Sequence, residues 1–377
     1  MRMTLDSICK VGFGVEIGTL VPDLPDNQFA KAFDMANTIV TLRFIDPLWK
    51  VKKFFNVGSE AVLDQSIKTI DDFTYSVIKR RKREIEESEG INKDEKVKHD
   101  ILSRFIELSR DPQSNMTDKS LRDVVLNFVI AGRDTTATTL AWAIYMIKTH
   151  KNVADKLYSE LKRFEEDRAE EEGISLIQYH KENPESFNQK AMQFAGLLSY
   201  DSIGKLYYLH AVITETLRLY PAVPQVSDFS VKSDAKQWQK VILVASGLQD
   251  PKGILQDDVL PDGTKVKAGG MVTYVPYAMG RMEYNWGPDA ASFDPERWLK
   301  DGVFQNSSPF KFTAFQAGPR ICLGRTRYLQ MKMALAILCR FYEFKLLPGH
   351  LVAYRMMTIL SMAHGLKLTV SRRQQDS

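Results

Sequence analysis

The chain has 377 residues, 44% hydrophobic and 26% charged, so it has enough apolar material for a large core and is not a disordered protein. Its 51 basic and 47 acidic residues are interleaved and leave a net charge of +4, which argues against nucleic-acid binding. Three widely spaced cysteines argue against disulfide partners and suit a reducing compartment. No apolar run is as long as a membrane span, and the first residues do not start a signal peptide.

The first part of the chain predicts helices. Residues 26–90 have helical patterning with polar faces, and the basic run Lys79–Arg83, followed by glutamates, predicts a solvated helix face. Thr117 and Asp118 precede an amphipathic and then nearly all-apolar segment, Leu121–Ile147, without proline. Such a segment predicts a buried central helix.

The second part predicts a mixture of helices and short strands. The acidic segment 167–190, with the breaker Asn183-Pro184, predicts a surface loop with helical pieces. Further elements are predicted as a helix at 203–219, a hairpin between Val259 and Val266, a helix at 328–343 and a strand at 366–370. The fold class that follows is mainly α with small β-sheets.

The most specific motif is the pattern F-x-x-G-x-R-x-C-x-G, which presents one thiolate to a haem iron. Its matched residues are Phe315, Gly318, Arg320, Cys322 and Gly324. An axial thiolate pushes electron density toward the O–O bond of bound dioxygen, and a following helix favours the charged sulfur. The glycines permit close approach of backbone N–H groups, and Arg320 can bind a haem propionate. Phe315 is expected to pack against the haem and keep the sulfur dry.

This pattern is the signature of the cytochrome P450 haem-thiolate monooxygenases, and the sequence resembles that family from about residue 5 to residue 370. The resemblance implies the cytochrome P450 fold as a single domain over residues 1–377. It also implies haem b with Cys322 as the iron ligand, dioxygen as a co-substrate and NADPH as an indirect source of electrons. Cys9 and Cys339 are expected to be small buried side chains.

The segment A-G-R-D-T-T in the central helix matches the oxygen-activation motif of that family. A glycine inside a helix lowers helix stability by about 1 kcal/mol. Its presence in a strong helix therefore indicates that the motif serves a function. The resemblance implies that Ala131 and Gly132 leave room for dioxygen beside the haem, that Thr135 holds the distal oxygen and a water, and that Asp134 relays protons. The structural alternative for Thr135 is a hydrogen bond back to the carbonyl four residues earlier. Helical spacing places Phe128 and Ala131 on the same face, as candidate walls of the substrate pocket.

Two further motifs predict a structural network. Glu215 and Arg218 form E-x-x-R, and their spacing places both charges on one helix face. Downstream, P-E-R-W matches the P-E-R-F motif of the family with Trp in place of Phe. The resemblance implies that Arg297 completes a Glu–Arg–Arg network that fixes the loop behind the haem, in a positioning role.

Within the family, the sequence looks most like plant microsomal fatty-acid omega-hydroxylases. Beside the two motifs already named, the likeness rests on Glu215–Pro224 and Tyr277–Met282. It implies a long-chain fatty acid as the lipid substrate, NADPH–cytochrome P450 reductase as the electron-donating partner, and a location on the cytosolic face of the endoplasmic reticulum membrane. Arg325, Arg327 and Lys332 are candidate basic contacts for the reductase, with a solvated surface as the alternative.

Three features depart from the family pattern. The expected N-terminal anchor and first helices, about a hundred residues, have no counterpart in the sequence. Tyr328 stands where the family usually has a small residue, as if one residue were deleted after the cysteine. Residues 226–249 are an atypical insertion, which we interpret as a translated intron.

These departures leave two alternatives to a fatty-acid hydroxylase. One is a catalytically silent, truncated haem-binding fragment. The other is a haem-thiolate enzyme that rearranges peroxides, against which Asp134 and Thr135 argue because rearrangement needs no proton relay.

Overall fold

Helices form most of the computed structural model, and its strands are short paired segments. The chain divides into two compact units, Met1–Ala137 and Thr138–Ser377. The residues that the structure describes are 1–21, 26–43, 45–91, 100–224, 252–272, 274–316, 321–322, 324, 328–356 and 359–374.

Among the residues that the structure describes, the first unit has helices and connecting loops but no strand. Its helices are α1 (Arg2–Phe13), α2 (Gln28–Leu42), α3 (Trp49–Phe55), α4 (Ser59–Ile91), α5 (Ile101–Ser109) and the first part of α6 (Asp118–Thr149). Buried apolar side chains of α1, α2, α4, α5 and α6, such as Phe13, Ile78 and Leu102, form one core. A bidentate ion pair between Arg43 and Glu60 holds the end of α2 to the start of α4.

Helix α6 confirms the predicted central helix and extends it by a few residues at each end. In the first unit, the side chains of Leu121, Val125 and Val129 are buried in the core. Beyond residue 137 the helix continues into the second unit, where Trp142 is buried and its indole N–H donates to the carbonyl of Leu360 at 2.8 Å. Burial of successive turns explains much of the apolar character of this sequence, although Ile130 and Ala131 are exposed.

The helices of the second unit that follow α6 have between 4 and 21 residues. They are α7 (Lys151–Glu171), α8 (Pro184–Leu197), α9 (Tyr200–Gly204), α10 (Tyr207–Leu219), α11 (Pro276–Met279), α12 (Glu283–Trp286) and α13 (Tyr328–Phe341). The predicted surface loop with helical pieces at 167–190 is confirmed in outline: α7 ends at Glu171, a loop follows, and α8 begins at Pro184, where Asn183 caps it through two backbone N–H groups. Proline starts a helix as readily as it ends one, since the first turn needs no N–H donor.

Five antiparallel strand pairs lie among the described residues of the second unit. The predicted hairpin is confirmed by the pairing of β2 with β3, and the last strand begins two residues later than predicted. The pairs are β1 (Lys252–Gly253) with β4 (Met271–Val272), β2 (Asp258–Val259) with β3 (Lys265–Val266), β5 (Leu299–Lys300) with β6 (Val303–Phe304), β7 (Tyr342–Leu346) with β10 (Leu368–Arg372), and β8 (Tyr354–Met356) with β9 (Leu360–Met362).

Buried charges on α7 fix the position of α13. The Glu165 carboxylate on α7 accepts Arg340 of α13 at 2.7 Å and forms an ion pair with Lys190 of α8 at 2.9 Å. All three side chains are at least 94% buried, so each charge depends on the others for compensation. The network therefore holds α13, the helix that follows the cysteine loop, against α7 and α8. Within the described residues, no helix has the length and apolar character needed to cross a lipid bilayer.

Candidate active site

The cysteine loop precedes α13, and two hydrogen bonds define its described part. The Cys322 N–H donates to the carbonyl of Phe315 at 2.7 Å, which closes the loop on itself. The Cys322 Sγ accepts the N–H of Gly324 at 3.3 Å, and the thiol is exposed and free. An exposed sulfur that accepts a backbone N–H fits an iron-bound thiolate, because such hydrogen bonds orient and tune the ligand. Two of the predicted haem contacts, Gly318 and Arg320, lie outside the described residues.

The other two thiols have different surroundings. Cys9 and Cys339 are buried, as predicted, with 1% and 5% of their surfaces exposed. Burial raises the pKa of each thiol to about 12, so both stay protonated near neutral pH. Among the three cysteines, Cys322 is the exposed one, which agrees with its assignment as the ligand.

Tyr328, the first residue of α13, packs beside the cysteine loop. Its ring stacks on His210 of α10 at a centroid distance of 4.4 Å and lies 5.5 Å from the ring of Phe315. Its hydroxyl is 3.0 Å from Oγ1 of Thr214. The sequence marked this large side chain as a departure from the family, and these contacts give it a packing role between α10, α13 and the loop.

The oxygen-activation motif lies in the first unit, on α6. The Thr135 hydroxyl donates to the Ala131 carbonyl, four residues earlier, at 2.6 Å. This bond is the one expected if Thr135 has a purely structural role, so its catalytic role stays a prediction. Gly132 is buried and Ala131 is exposed. Phe128 is half-buried and packs against the apolar core, with its ring 6.5 Å from that of Phe105. The roles of Phe128 and Ala131 as pocket walls stay predictions too.

Asp134 combines burial with incomplete pairing. Its side chain is 14% exposed, and its Oδ1 has no hydrogen-bond partner among the described residues. Burial raises the pKa of this carboxyl, while the neighbouring Arg133 guanidinium, 3.4 Å away, acts in the opposite direction. A carboxyl whose pKa is raised holds a proton more readily than a free aspartate, which suits the predicted relay.

The predicted Glu–Arg–Arg network is present. The Glu215 carboxylate on α10 accepts two hydrogen bonds from Arg218, both 2.7 Å long, and one from Arg297 at 3.0 Å. Arg218 also donates to the carbonyls of Gly280, Ala290 and Ser292. Because one guanidinium satisfies three carbonyls of the segment 280–292, the network fixes that segment against α10.

Trp298 is a member of this network that the sequence analysis missed. Its indole N–H donates to Glu215 Oε2 at 2.8 Å, and the backbone N–H of Asp294 donates to Oε1 at 2.9 Å. The substitution of Trp for the usual Phe in P-E-R-W could have indicated this bond, because Trp has a side-chain N–H donor and Phe has none. Glu215 is fully buried, so the added donor compensates a desolvated charge.

Lys332 does not belong to a reductase-facing patch, and this expectation was wrong. Its side chain is buried, and its ammonium donates to the Ile203 carbonyl at 3.1 Å. Burial lowers the pKa of Lys332 to about 8, although the carboxylate of Glu160 acts in the opposite direction. Arg325, Arg327 and the insertion 226–249 lie outside the described residues.

Comparison with known proteins places the chain in a family. A family model described as Cytochrome P450 matches residues 1–236 and 244–370. Cytochrome P450 704B1 of Arabidopsis thaliana is 70% identical over 380 residues, which cover 99% of this chain and 68% of that protein. Cytochrome P450 704C1 of Pinus taeda is 44% identical over 381 residues, which cover 99% and 66%. Cytochrome P450 86B1 of Arabidopsis thaliana is 35% identical over 376 residues, which cover 99% and 60%. The chain thus spans about two thirds of the length of these relatives.

Solved structures support the same fold. The crystal structure of the cytochrome P450 CYP102L1 aligns with a TM-score of 0.69 at 22% identity, over 99% of this chain and 70% of that one. The cytochrome P450DA heme domain aligns with a TM-score of 0.70 at 18% identity, over 100% and 67%.

The chain belongs to the cytochrome P450 family. The fold predicted from the sequence, the monooxygenase class, and a haem held by a cysteine thiolate and supplied with electrons from NADPH are thereby confirmed.

Replacement of Trp298 by phenylalanine tests the network. Trp298→Phe removes one hydrogen bond to a buried carboxylate, so we expect a loss of about 1.5–3 kcal/mol in the free energy of unfolding. The matched control is Trp142→Phe, which removes an equally buried indole bond to a neutral carbonyl and should cost about 0.5–1.5 kcal/mol. Urea denaturation of both variants measures the difference. Equal losses would mean that the Glu215 charge adds nothing to the Trp298 bond.

Proposed function

We propose that this chain is the catalytic region of a monooxygenase that hydroxylates a long-chain fatty acid at or near its omega carbon. The observation that carries the proposal is the exposed Cys322 thiol, whose sulfur accepts the Gly324 N–H in a loop closed by the Phe315 carbonyl. Support for the substrate class comes from the motifs shared with plant fatty-acid omega-hydroxylases and from the plant origin of the relatives.

Haem b bound to Cys322 would supply the centre that activates dioxygen and inserts one oxygen atom into a C–H bond. The chain's own residues hold the sulfur and handle protons. Gly324 and Phe315 orient Cys322 through the two backbone hydrogen bonds, and Tyr328 packs against the ring of Phe315. On α6, Asp134 gives and takes protons at Oδ1, which accepts no hydrogen bond among the described residues, and the Thr135 hydroxyl passes them on. NADPH–cytochrome P450 reductase is the proposed electron donor.

Incubation with fatty acids tests the substrate class. The haem-loaded chain, supplied with a plant reductase and NADPH, should convert palmitic or oleic acid to products that mass spectrometry identifies as omega or near-omega hydroxy acids. Heat-inactivated reductase is the control. A haem-loaded chain that consumes NADPH without hydroxylating any chain length would contradict the substrate proposal.

Replacement of the proposed ligand tests the cofactor site. Cys322→Ser should abolish the red-shifted Soret band of the reduced carbon-monoxide complex, because a serine hydroxyl does not provide the thiolate. Far-ultraviolet circular dichroism of the haem-free protein should stay unchanged. Cys9→Ala, at a buried thiol, is the control and should retain the band. A thiolate-type band in Cys322→Ser would exclude this residue as the ligand, and the absence of haem from the unmodified chain would favour the silent fragment.

Replacement of Thr135 tests proton delivery. Thr135→Ala should leave substrate binding and reduction near normal but divert electrons from NADPH to hydrogen peroxide, because the hydroxyl that passes protons is gone. The matched control is Thr149→Ala, which removes the same kind of back-bond, to the Tyr145 carbonyl, outside the motif on the same helix. Peroxide yield per NADPH measures the effect. The role of Thr135 fails if both variants keep the original yield.

We further propose a location on the cytosolic face of the endoplasmic reticulum membrane, and the surface of α3 supports it. The helix has no buried residue, and its last two side chains, Phe54 and Phe55, are 83% and 66% exposed. Lys50 and Lys53 are exposed beside them. Exposed aromatic rings among lysines suit the interface of an anionic bilayer.

Vesicle flotation tests the membrane binding by α3 on which this proposed location depends. The chain should float with phosphatidylserine-containing vesicles, and the double variant Phe54→Ser, Phe55→Ser should lose most of that binding because the apolar contact is removed. Leu255→Ser, which alters an apolar side chain elsewhere that is 96% exposed, is the control. Undiminished flotation of the double variant would exclude α3 as the contact.

A further inference from the structure

The Arg133 guanidinium lies between two carboxylates and contacts them unequally. It forms a bidentate pair with Asp34 of α2, with Nη1–Oδ1 and Nη2–Oδ2 distances of 2.7 and 3.1 Å. Its approach to Asp134, the next residue on α6, is a single contact of 3.4 Å that is not a hydrogen bond. One cation is therefore shared by two acids, and the bidentate geometry favours Asp34.

The surroundings hold Arg133 in this arrangement. Its side chain is 3% exposed, and its guanidinium lies over the ring of Phe33, 5.4 Å from the centroid, so α2 supplies both the acid and an aromatic face. Asp34 is 62% exposed, whereas Asp134 is largely buried. A planar guanidinium that is stacked and bound at two points is restricted in orientation.

We propose that Asp34 and Arg133 are positioning residues for Asp134: by binding the guanidinium at two points, Asp34 keeps Arg133 from closing a full ion pair with Asp134. This inference rests on the proposed function, in which Asp134 moves a proton. An aspartate in a bidentate pair with arginine would stay ionised and would be a poor proton donor. Oδ1 of Asp134, the atom 3.4 Å from the guanidinium, accepts no hydrogen bond among the described residues, and this arrangement keeps it available for a proton.

The charges of Asp34 and Arg133 are expected to shift the pKa of Asp134 in opposite directions. Burial raises the pKa of Asp134, the Arg133 charge opposes that rise, and the Asp34 charge adds to it. The amino group of Met1 also acts against the rise, and it is the same in every variant compared below. Removing the Asp34 charge should therefore lower the pKa of Asp134, both directly and by releasing Arg133. Removing the Arg133 charge should raise it.

A titration of the haem-free chain tests the proposal without any turnover. The protein carries ¹³C at the aspartate carboxyl carbons, and Asp134→Asn identifies the Asp134 resonance by its disappearance. The titration midpoint of that resonance should move to lower pH in Asp34→Asn and to higher pH in Arg133→Gln. Asp34 is exposed, so its replacement should leave the fold intact, and circular dichroism checks this. Asp34→Glu should restore most of the original midpoint.

A second Asp–Arg pair on the same helix provides the control. Arg122 of α6 donates to Asp71 of α4 at 2.7 Å, three turns before Arg133. Asp71→Asn removes a comparable tie between α6 and a neighbouring helix, so a structural effect on α6 would appear there as well. We expect no change in the Asp134 midpoint for this variant. An unchanged midpoint in Asp34→Asn, or an equal shift in Asp71→Asn, overturns the proposal.

The haem-loaded chain then separates this proposal from the proposed function. Asp34→Asn should raise the peroxide yield per NADPH severalfold, while Asp71→Asn leaves it unchanged. If the midpoint shifts in Asp34→Asn but the peroxide yield does not, the positioning of Asp134 stands and its role in proton transfer is refuted.

Discussion

One buried carboxylate, Glu215, organises the part of the second unit that precedes the cysteine loop. It accepts five hydrogen bonds, from Arg218, Arg297, Trp298 and the backbone of Asp294. A fully buried charge is costly unless every lone pair is used, so only one arrangement of these donors is acceptable. The Arg218 guanidinium extends that constraint to the Gly280 carbonyl, and a Cβ at position 280 would collide with the Arg218 backbone. The segment 280–298 is thereby fixed against α10 by contacts that centre on one charge.

The structural carboxylate Glu215 and the proposed proton carrier Asp134 differ in how fully they are hydrogen-bonded. Around Glu215 every acceptor is paired, which gives rigidity. At Asp134 the buried Oδ1 contacts Arg133 at 3.4 Å but accepts no hydrogen bond among the described residues, which costs stability and retains reactivity. Cys322 is intermediate in its hydrogen bonding, since its exposed sulfur accepts one backbone N–H. Glu215 is thus fully hydrogen-bonded and has a positioning role, whereas Asp134 is incompletely hydrogen-bonded and is expected to react.

Short-range patterns were readable from the sequence, and long-range partners were not. The central helix, the hairpin and the Glu215–Arg218 pair follow from periodicity, turn residues and i, i+3 spacing. The Asp34 partner of Arg133 is 99 residues away, and no periodicity connects them. Lys332 was misread because a lysine on an amphipathic helix is usually solvated, whereas tertiary packing buries this one. Trp298 was seen as a substitution, but the direction of its N–H depends on the folded structure.

The partners of Glu215 also set the order in which the chain can assemble. The Trp298 donor lies 83 residues beyond Glu215, so the charge has to stay hydrated until that long loop closes, late in folding or synthesis. The insertion 226–249 lies within this loop. Because closure entropy grows only with the logarithm of length, lengthening the loop from 59 to 83 residues costs about 0.3 kcal/mol. By chain entropy alone, the Glu215 centre can form with the inserted segment in place.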